Sequence, residues 1–481
     1  MTKRYFVFPV IAVLLLLAVS SSCKKDKIST DSAHQLSFST DTLAFDTVFS
    51  TVGSSTRIFK IYNPNAKRVN ISSINLGGGS SSFFRLNING KSGISFANVE
   101  LPANDSLWVF AEVTVDPGAN GNPFLVLDSL VCQTNGNVQK VILSAYGQNA
   151  IFHKANSNEE ALKLSCSEVW DNTIAHVVFG KVRVDTNCSL TIKKGTQVYF
   201  YNDGKLLVSK GASVRITGTF DEPVVFEGSR LESWYENTPG QWEGVVLEEE
   251  SQDHEISFLQ LKNARNGIVS LATSKSNTTA LLMNNCVVKN CSKIGINLQE
   301  SSAEMNNVVV CNSGSKGLVV EGGNYVFSHC TFFNSSSASS MEISNESVLL
   351  KNWRIIDDEI NVTELNQADF YNCILYGVEE TALLLSQESG LFNYLFTNCL
   401  IKTNAAVPTG SSSFVECLIN QDPKFEDVNL HDLSLTENSP AIDAGNVAAV
   451  NSNLVQLQYD LNNYSRLIDN QPDIGAYEYK K

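Results

Sequence analysis

"MNNCVVKNCSKIGINL", residues 283–298, and "MNNVVVCNSGSKGLVV", residues 305–320, are the same phrase written twice at an offset of 22. Met283 falls on Met305, Asn285 on Asn307, Val288 on Val310, Asn290 on Asn312 and Gly295 on Gly317. A further step of 22 carries Asn312 to Asn334 and Val310 to Phe332. Backwards, Asn263 precedes Asn290 by 27, the polar insert "LATSKSNTTA" taking up the difference. "FYNCILY" and "FTNCLIK" recur at 26. A period near 22, built from short alternating runs and Asn/Gly corners with no helical stripe, predicts a parallel β-solenoid. One coil cannot bury its inner face alone, so coils stack. Alternate side chains then line up inside as columns of Val, Ile, Leu and Phe. Asn residues at one corner are expected to bond backbone groups above and below as a ladder. Residues 170–437 hold about a dozen such coils.

Earlier in the chain, "LTIKKGTQVYFYNDGKLLVSKGASVRI" (190–216) repeats itself at an offset of sixteen. Leu190 falls on Leu206, Ile192 on Val208 and Gly195 on Gly211. These Lys-Gly corners, the phrase "GTFDEPVVF" (218–226) and the Trp242–Gly244 pair resemble the opening of right-handed parallel β-helix domains in bacterial surface proteins. The resemblance implies that fold and says nothing about activity.

Residues 36–150 read differently. "LSFST", "RIFKIYNPN", "VNISSINL", "LWVFAEVTVDP" and "KVILSAYG" are short alternating runs separated by turn residues. They predict a β-sandwich and resemble, in pattern, the immunoglobulin-like modules that precede repeat domains. The expected fold class is thus all-β: an immunoglobulin-like sandwich, a right-handed β-helix and a C-terminal cap.

The first 22 residues carry Lys3 and Arg4, an apolar run from Phe6 to Val19 and the small residues Ser20–Ser22 before Cys23. That order is a secretion signal, and the apolar run is short for a bilayer span of roughly 20 residues. The Cys after small residues resembles the lipobox of bacterial lipoproteins. This implies cleavage before Cys23, its acylation, and a membrane partner reached through that lipid anchor. Residues 23–35 then form a polar tether, with lysines placed as in Bacteroidota lipoproteins. The expected location is the outer membrane of the cell envelope, surface display and the periplasmic leaflet both remaining open.

The chain has 50 acidic against 35 basic side chains, a formal charge of −15. No basic excess exists to displace counterions from phosphates, so nucleic acid is not an expected partner. Export permits disulfides. Cys286, Cys330, Cys373 and Cys399, however, recur in one local phrase and are expected to stack as buried apolar groups, some pairings staying open.

"NSPAIDAGN" (438–446) and "PDIGAYEY" (472–479) resemble the closing segment of the choice-of-anchor Q family, whose members are secreted β-helix proteins. Asp460 and Arg466 match the stretch between those phrases, with Asn463 replacing the family's Gly. The resemblance assigns residues 438–481 to a cap over the last coil, with Asp443, Asp460, Arg466 and Asp473 bonded inside it. An uncovered coil would expose a β-edge.

Candidate chemistry is thin. Asp357–Asp358–Glu359 reads as a solvated turn before it reads as a catalytic pair. Glu248, Glu249 and Glu250 offer a weak Ca²⁺ site against a solvated strand face; no other cofactor is expected. Zinc spacing, nucleophile elbows and phosphate loops are absent from the sequence. Arg230, Trp234 and Tyr235, in "SRLESWYENTPGQW", are the candidate ligand-binding residues, an aromatic group able to stack a sugar ring or to pack as a flap on the wall. The sequence leads to a lipid-anchored, non-catalytic envelope protein offering a surface to a polysaccharide or another surface partner. A divergent polysaccharide lyase or glycoside hydrolase is the alternative.

Overall fold

The structure, a computed structural model, describes residues 27–116, 124–156, 158–272, 279–335, 345–404, 411–450 and 455–480. The signal segment 1–22 and Cys23 lie outside the described residues. The chain divides into two compact units, the first ending at Asn149 and the second starting at Ala150.

The first unit is a β-sandwich of two five-stranded sheets. One contains Arg57–Tyr62 and Ser106–Val113 at its centre, the other Asn137–Gln148, Phe124–Thr134 and Val69–Leu76. The alternation that predicts strands also fills the core: Phe59, Ile61, Ile71, Ile74, Val109 and Val141 all point inward. Asn63 of "IYNPN" is buried, and its amide donates to the carbonyls of Lys67, Leu101 and Pro102, so one side chain ties two loop segments.

The second unit is a right-handed parallel β-helix with three walls. Among the described residues the first wall has eleven strands, from Ala150–Lys154 to Leu418–Ile419. The second has nine, from Leu162–Lys163 to Leu383–Ser386, and the third ten, from Glu168–Trp170 to Phe414–Val415. The step of 22 is the true register in mid-chain: Met283 pairs with Met305, Val288 with Val310 and Val310 with Phe332. The step of sixteen is not. Leu190 pairs with Val214, and Leu206 with Val182, so the early repeat relates a third-wall strand to the second-wall strand two sides further along rather than successive coils. The coils also begin at Ala150, ahead of residue 170. "AIFHK" hides there because His153 occupies the inward register position of Val178.

Two corners explain the asparagines. Between the third and first walls each of these late coils has one left-handed residue, Asn285, Asn307, His329, Asn372 or Asn398, at φ 50 to 53°. Asn tolerates that region where most side chains do not. Asn307 donates to the side-chain oxygen of Asn285 at 2.9 Å. A second ladder closes the first wall, Asn312 donating to Asn290 at 2.7 Å and Asn290 to Asn263 at 3.3 Å. The expectation of one corner bonded to the backbone above and below is therefore corrected to two corners. Amide bonds join Asn307 to Asn285 and Asn312 to Asn290 to Asn263, while Asn307, Asn372 and Asn398 donate to the carbonyls of Tyr459, Asn446 and Ala444. Asn334 keeps the register but turns inward, accepting from the Ser313 N–H.

Cys286, Val308, Cys330, Cys373 and Cys399 stack at one inward position, all fully buried. Beside them Phe327, Phe370, Phe396 and Phe414 stack with ring centroids 4.4, 4.7 and 5.1 Å apart. Near the start of the helix Cys166 and Cys188 form a disulfide between successive coils.

The C-terminal segment departs from the cap expected of residues 438–481. Its bonds run back along the flank of the solenoid instead of across its last coil. The Gly475 N–H donates to the Asn372 carbonyl, the Ala476 N–H to Thr331 Oγ1, and Asn398 donates to the Ala444 carbonyl. Leu433, Leu435, Ala441, Ile474 and Ala476 cover Val309, Cys311, Phe333, Ile374 and Leu400 on the outer face of the first wall. The reason is visible in the strands: "VVVC" (308–311) and "TFFN" are apolar on both faces, and such strands must be buried on both.

Candidate functional site

Three places in the second unit gather polar or aromatic groups. The strap formed by the C-terminal segment is the most buried. Arg466 is 0% exposed and donates to Glu478 Oε1 at 2.5 Å and to Asn307 Oδ1 at 2.8 Å. Asp460 accepts from the N–H groups of Tyr464 and Glu478, and Asp473 from those of Asp443 and Tyr479. Burial pushes the Glu478 carboxyl up to about 8 against the pull of Arg466. Burial raises Asp460 and Asp473 as well. Of the four expected cap residues, Asp460, Arg466 and Asp473 come together. Asp443, exposed in a left-handed turn, joins them through its backbone N–H, which donates to Asp473. Glu478 is the member that sequence reading missed; "YEY" looks like an alternating strand. Enclosed from water, this network docks the strap on the Asn307 corner and offers nothing to a substrate.

The second place is the loop before Trp242. Ser233–Tyr235 form one 3₁₀ turn. Gln241 donates to the carbonyls of Tyr235 and Thr238, and Asn263 to that of Glu236, so the loop is tied to the wall. Arg230, Trp234 and Tyr235 do not make one platform. The Arg230 guanidinium lies over the Tyr235 ring, 4.1 Å from its centroid, and pairs with Glu232. Trp234 is left 83% exposed.

The third place is a groove of about 380 Å³ that sequence reading did not find, between the outer face of the third wall and the strap. Glu304, Val326, Tyr371 and Thr397 line one side, Asn446 and Ala449 the other. Glu304, Val326 and Asp369 stand in one column of successive coils. Asn306 donates to Glu304 and Gln367 to Asp369. Burial, then the Asp369 charge, raises the Tyr371 hydroxyl. Only the fold brings Glu304 and Asp369 together, because an insert lies between their coils.

The remaining acidic candidates are used otherwise. Glu248 pairs with Arg183 at 2.6 Å and Glu250 with Lys210 at 2.5 Å. Asp357 and Asp358 make the left-handed turn of an exposed hairpin. Among the described residues no group of three or more His, Cys, Asp or Glu side chains could hold a metal ion. His153 and His176 share a 2.9 Å hydrogen bond and stack on Trp170.

Residues 266–422 match a family model described as a right handed beta helix region. No curated protein matches the chain. Among solved structures, pectate lyase Pel9A is 11% identical over 76% of this chain and 92% of its own, with a TM-score of 0.26. The catalytic domain of a GH87 α-1,3-glucanase is 11% identical over 77% and 85%, with a TM-score of 0.19. A family 123 glycoside hydrolase from Clostridium perfringens is 10% identical over 24% of this chain, with a TM-score of 0.17. The match spans only 26% of that hydrolase's length. Likenesses this distant carry no argument about activity. The fold rests on the strand pairing and the family model.

Proposed function

We propose that this chain is a lipid-anchored envelope protein, acylated at Cys23, whose β-helix presents a non-catalytic binding surface to a glycan or another macromolecule. The observation that carries the reading is Trp234: a large apolar ring, 83% exposed, on a loop tied to the wall by three side-chain bonds. A held aromatic face loses little entropy when a sugar ring stacks on it. The groove beside Tyr371 supplies a second surface of the same kind.

The test is binding of purified protein to a panel of soluble neutral and acidic polysaccharides, with product release followed in parallel. Retention without product release supports the reading, and Trp234→Ala should weaken it about tenfold, the worth of one aromatic contact. Turnover by the wild-type chain would overturn it. For the anchor, Cys23→Ala should abolish fatty-acid labelling and release soluble protein; unchanged labelling removes that assignment.

One observation favours the alternative, a glycoside hydrolase. Glu304 and Asp369 are two coils apart in one column, which places their backbones about 9.6 Å apart at the usual strand spacing. Inverting hydrolases hold their carboxyl groups roughly 6.5–9.5 Å apart. If a polysaccharide is cut, Glu304→Gln should stop the cutting while leaving retention intact.

A further inference from the structure

The two ends of a solenoid are its weakest coils, because each has a neighbour on one side only. At the entry end the chain answers this with a covalent tie. Cys166 and Cys188 are bonded across one coil step, with Cα atoms 4.7 Å apart. They lie two residues before the paired positions Glu168 and Leu190.

Cys399 and Cys417 stand in the same relation at the other end. They lie two residues after the paired positions Thr397 and Val415, and the Leu418 N–H donates to the Cys399 carbonyl at 2.8 Å. In-register strands sit about 4.8 Å apart, inside the roughly 4.4–6.8 Å that a disulfide needs between Cα atoms. Both thiols are free. Cys399 Sγ donates to the carbonyls of Phe370 and Thr397, and Cys417 Sγ to those of Phe396 and Val415, so both point into the same stack. Cys330 and Cys373 continue the column inward and are sealed from water, whereas Cys417 is half-buried at its end.

We propose that Cys399 and Cys417 are an oxidisable pair that closes a disulfide over the last coil, the counterpart of Cys166–Cys188 over the first. With a small disulfide such as oxidised glutathione as oxidant, the Cys417 thiolate attacks one glutathione sulfur and expels the other as thiolate. Cys399 then attacks Cys417 Sγ, expelling the second glutathione thiolate. Two protein thiols are oxidised, one glutathione disulfide is reduced, and the two thiol protons end on the two glutathiones. The Cys399 sulfur beside it and then burial push the Cys417 thiol up, so the exchange runs slowly at neutral pH and faster in alkali.

The full chain is incubated with oxidised glutathione at pH 8.5, unfolded in the presence of iodoacetamide and mapped by mass spectrometry. The expected result is a linked Cys399–Cys417 peptide, a loss of two titratable thiols, and a melting temperature raised by a few degrees. Cys417→Ser should lose the linkage, and Cys373→Ser should keep it. Recovery of both peptides alkylated, a Cys373–Cys399 linkage, or a stable glutathione adduct on Cys417 each overturns the proposal.

Discussion

The coils before residue 260 and those after residue 280 share one architecture but hold it by different means. The early coils turn on glycine, Gly195 and Gly211 at φ 71° and 67°, and tie their outer faces with ion pairs such as Arg183–Glu248, Lys194–Glu222 and Lys210–Glu250. The late coils turn on asparagine, join side chains into amide ladders, and carry a strap over the outer face of the first wall. Exposed ion pairs contribute little each; a wall buried on both faces contributes through its apolar area. The late coils should therefore be the stable part of the solenoid, and the early ones the part that opens first.

The largest test breaks the late core. Val310 is 0% exposed between Val288 and Phe332. Val310→Asp should cost on the order of 4 kcal/mol or more, because an unpaired carboxyl must be buried or kept neutral. A melting temperature near wild type would contradict the inward orientation. Next is Arg466→Ala, which strips the partner from Glu478 and the strap's bond to Asn307. Removing one member of a buried pair costs about 3–5 kcal/mol. Limited proteolysis should then cleave the strap while the early coils stay intact; equal cleavage in both regions would show that the strap is not a separate unit.

The pH response separates the regions by sign. The folded pKa of Glu478 is raised from 4.5 to about 8. Its contribution is therefore present below pH 4.5 and lost as pH climbs through 8, at most a few kcal/mol. Asp460 and Asp473 shift the same way. In the early coils burial depresses His153 and His254 to about 4. Their contribution is present above pH 6.5 and lost as pH falls through 4. His329, buried under the strap, is also depressed by burial and then by Arg466, so acid weakens both regions. Alkali is the discriminating direction. Between pH 6.5 and 8.5, hydrogen-exchange protection factors, which discount the intrinsic base catalysis, should fall in residues 460–478 and stay unchanged around His153 and His254.

How much of this could be read beforehand differs between the same two regions. The late coils repeat Met283, Asn285 and Val288 at the true coil step, so a sequence comparison finds the register directly. In the early coils a Lys-Gly corner follows both the third wall, at Lys194–Gly195, and the second, at Lys210–Gly211, and the eye pairs Leu190 with Leu206 where the fold pairs it with Val214. The strap was half legible. Asp460, Arg466 and Asp473 stood out. Its path did not, because nothing local in "NSPAIDAGN" says which coil it will lie against. The groove was not legible at all: Glu304 and Asp369 share a column through Val326, and the hairpin inserted before Asp369 hides that register from sequence spacing.

The smaller predictions compare the two kinds of corner. Asn307→Ala removes the donors to Asn285 and to the Tyr459 carbonyl and the acceptor for Arg466. It also leaves a Cβ residue without Asn's local bonding at φ 53°. A loss of about 2 kcal/mol is expected, most of it from the buried partners left unsatisfied. Gly195→Ala meets only strain at φ 71° and a 3.0 Å approach to the Asn172 amide, a side-chain end that can move, so about 1 kcal/mol is expected. Smallest of all, Lys194→Ala breaks an exposed pair with Glu222 and should leave the melting temperature unchanged within error. If Lys194→Ala instead destabilised as much as Asn307→Ala, the early ion pairs would act as a cooperative ladder, and the division between the two halves of the solenoid would disappear.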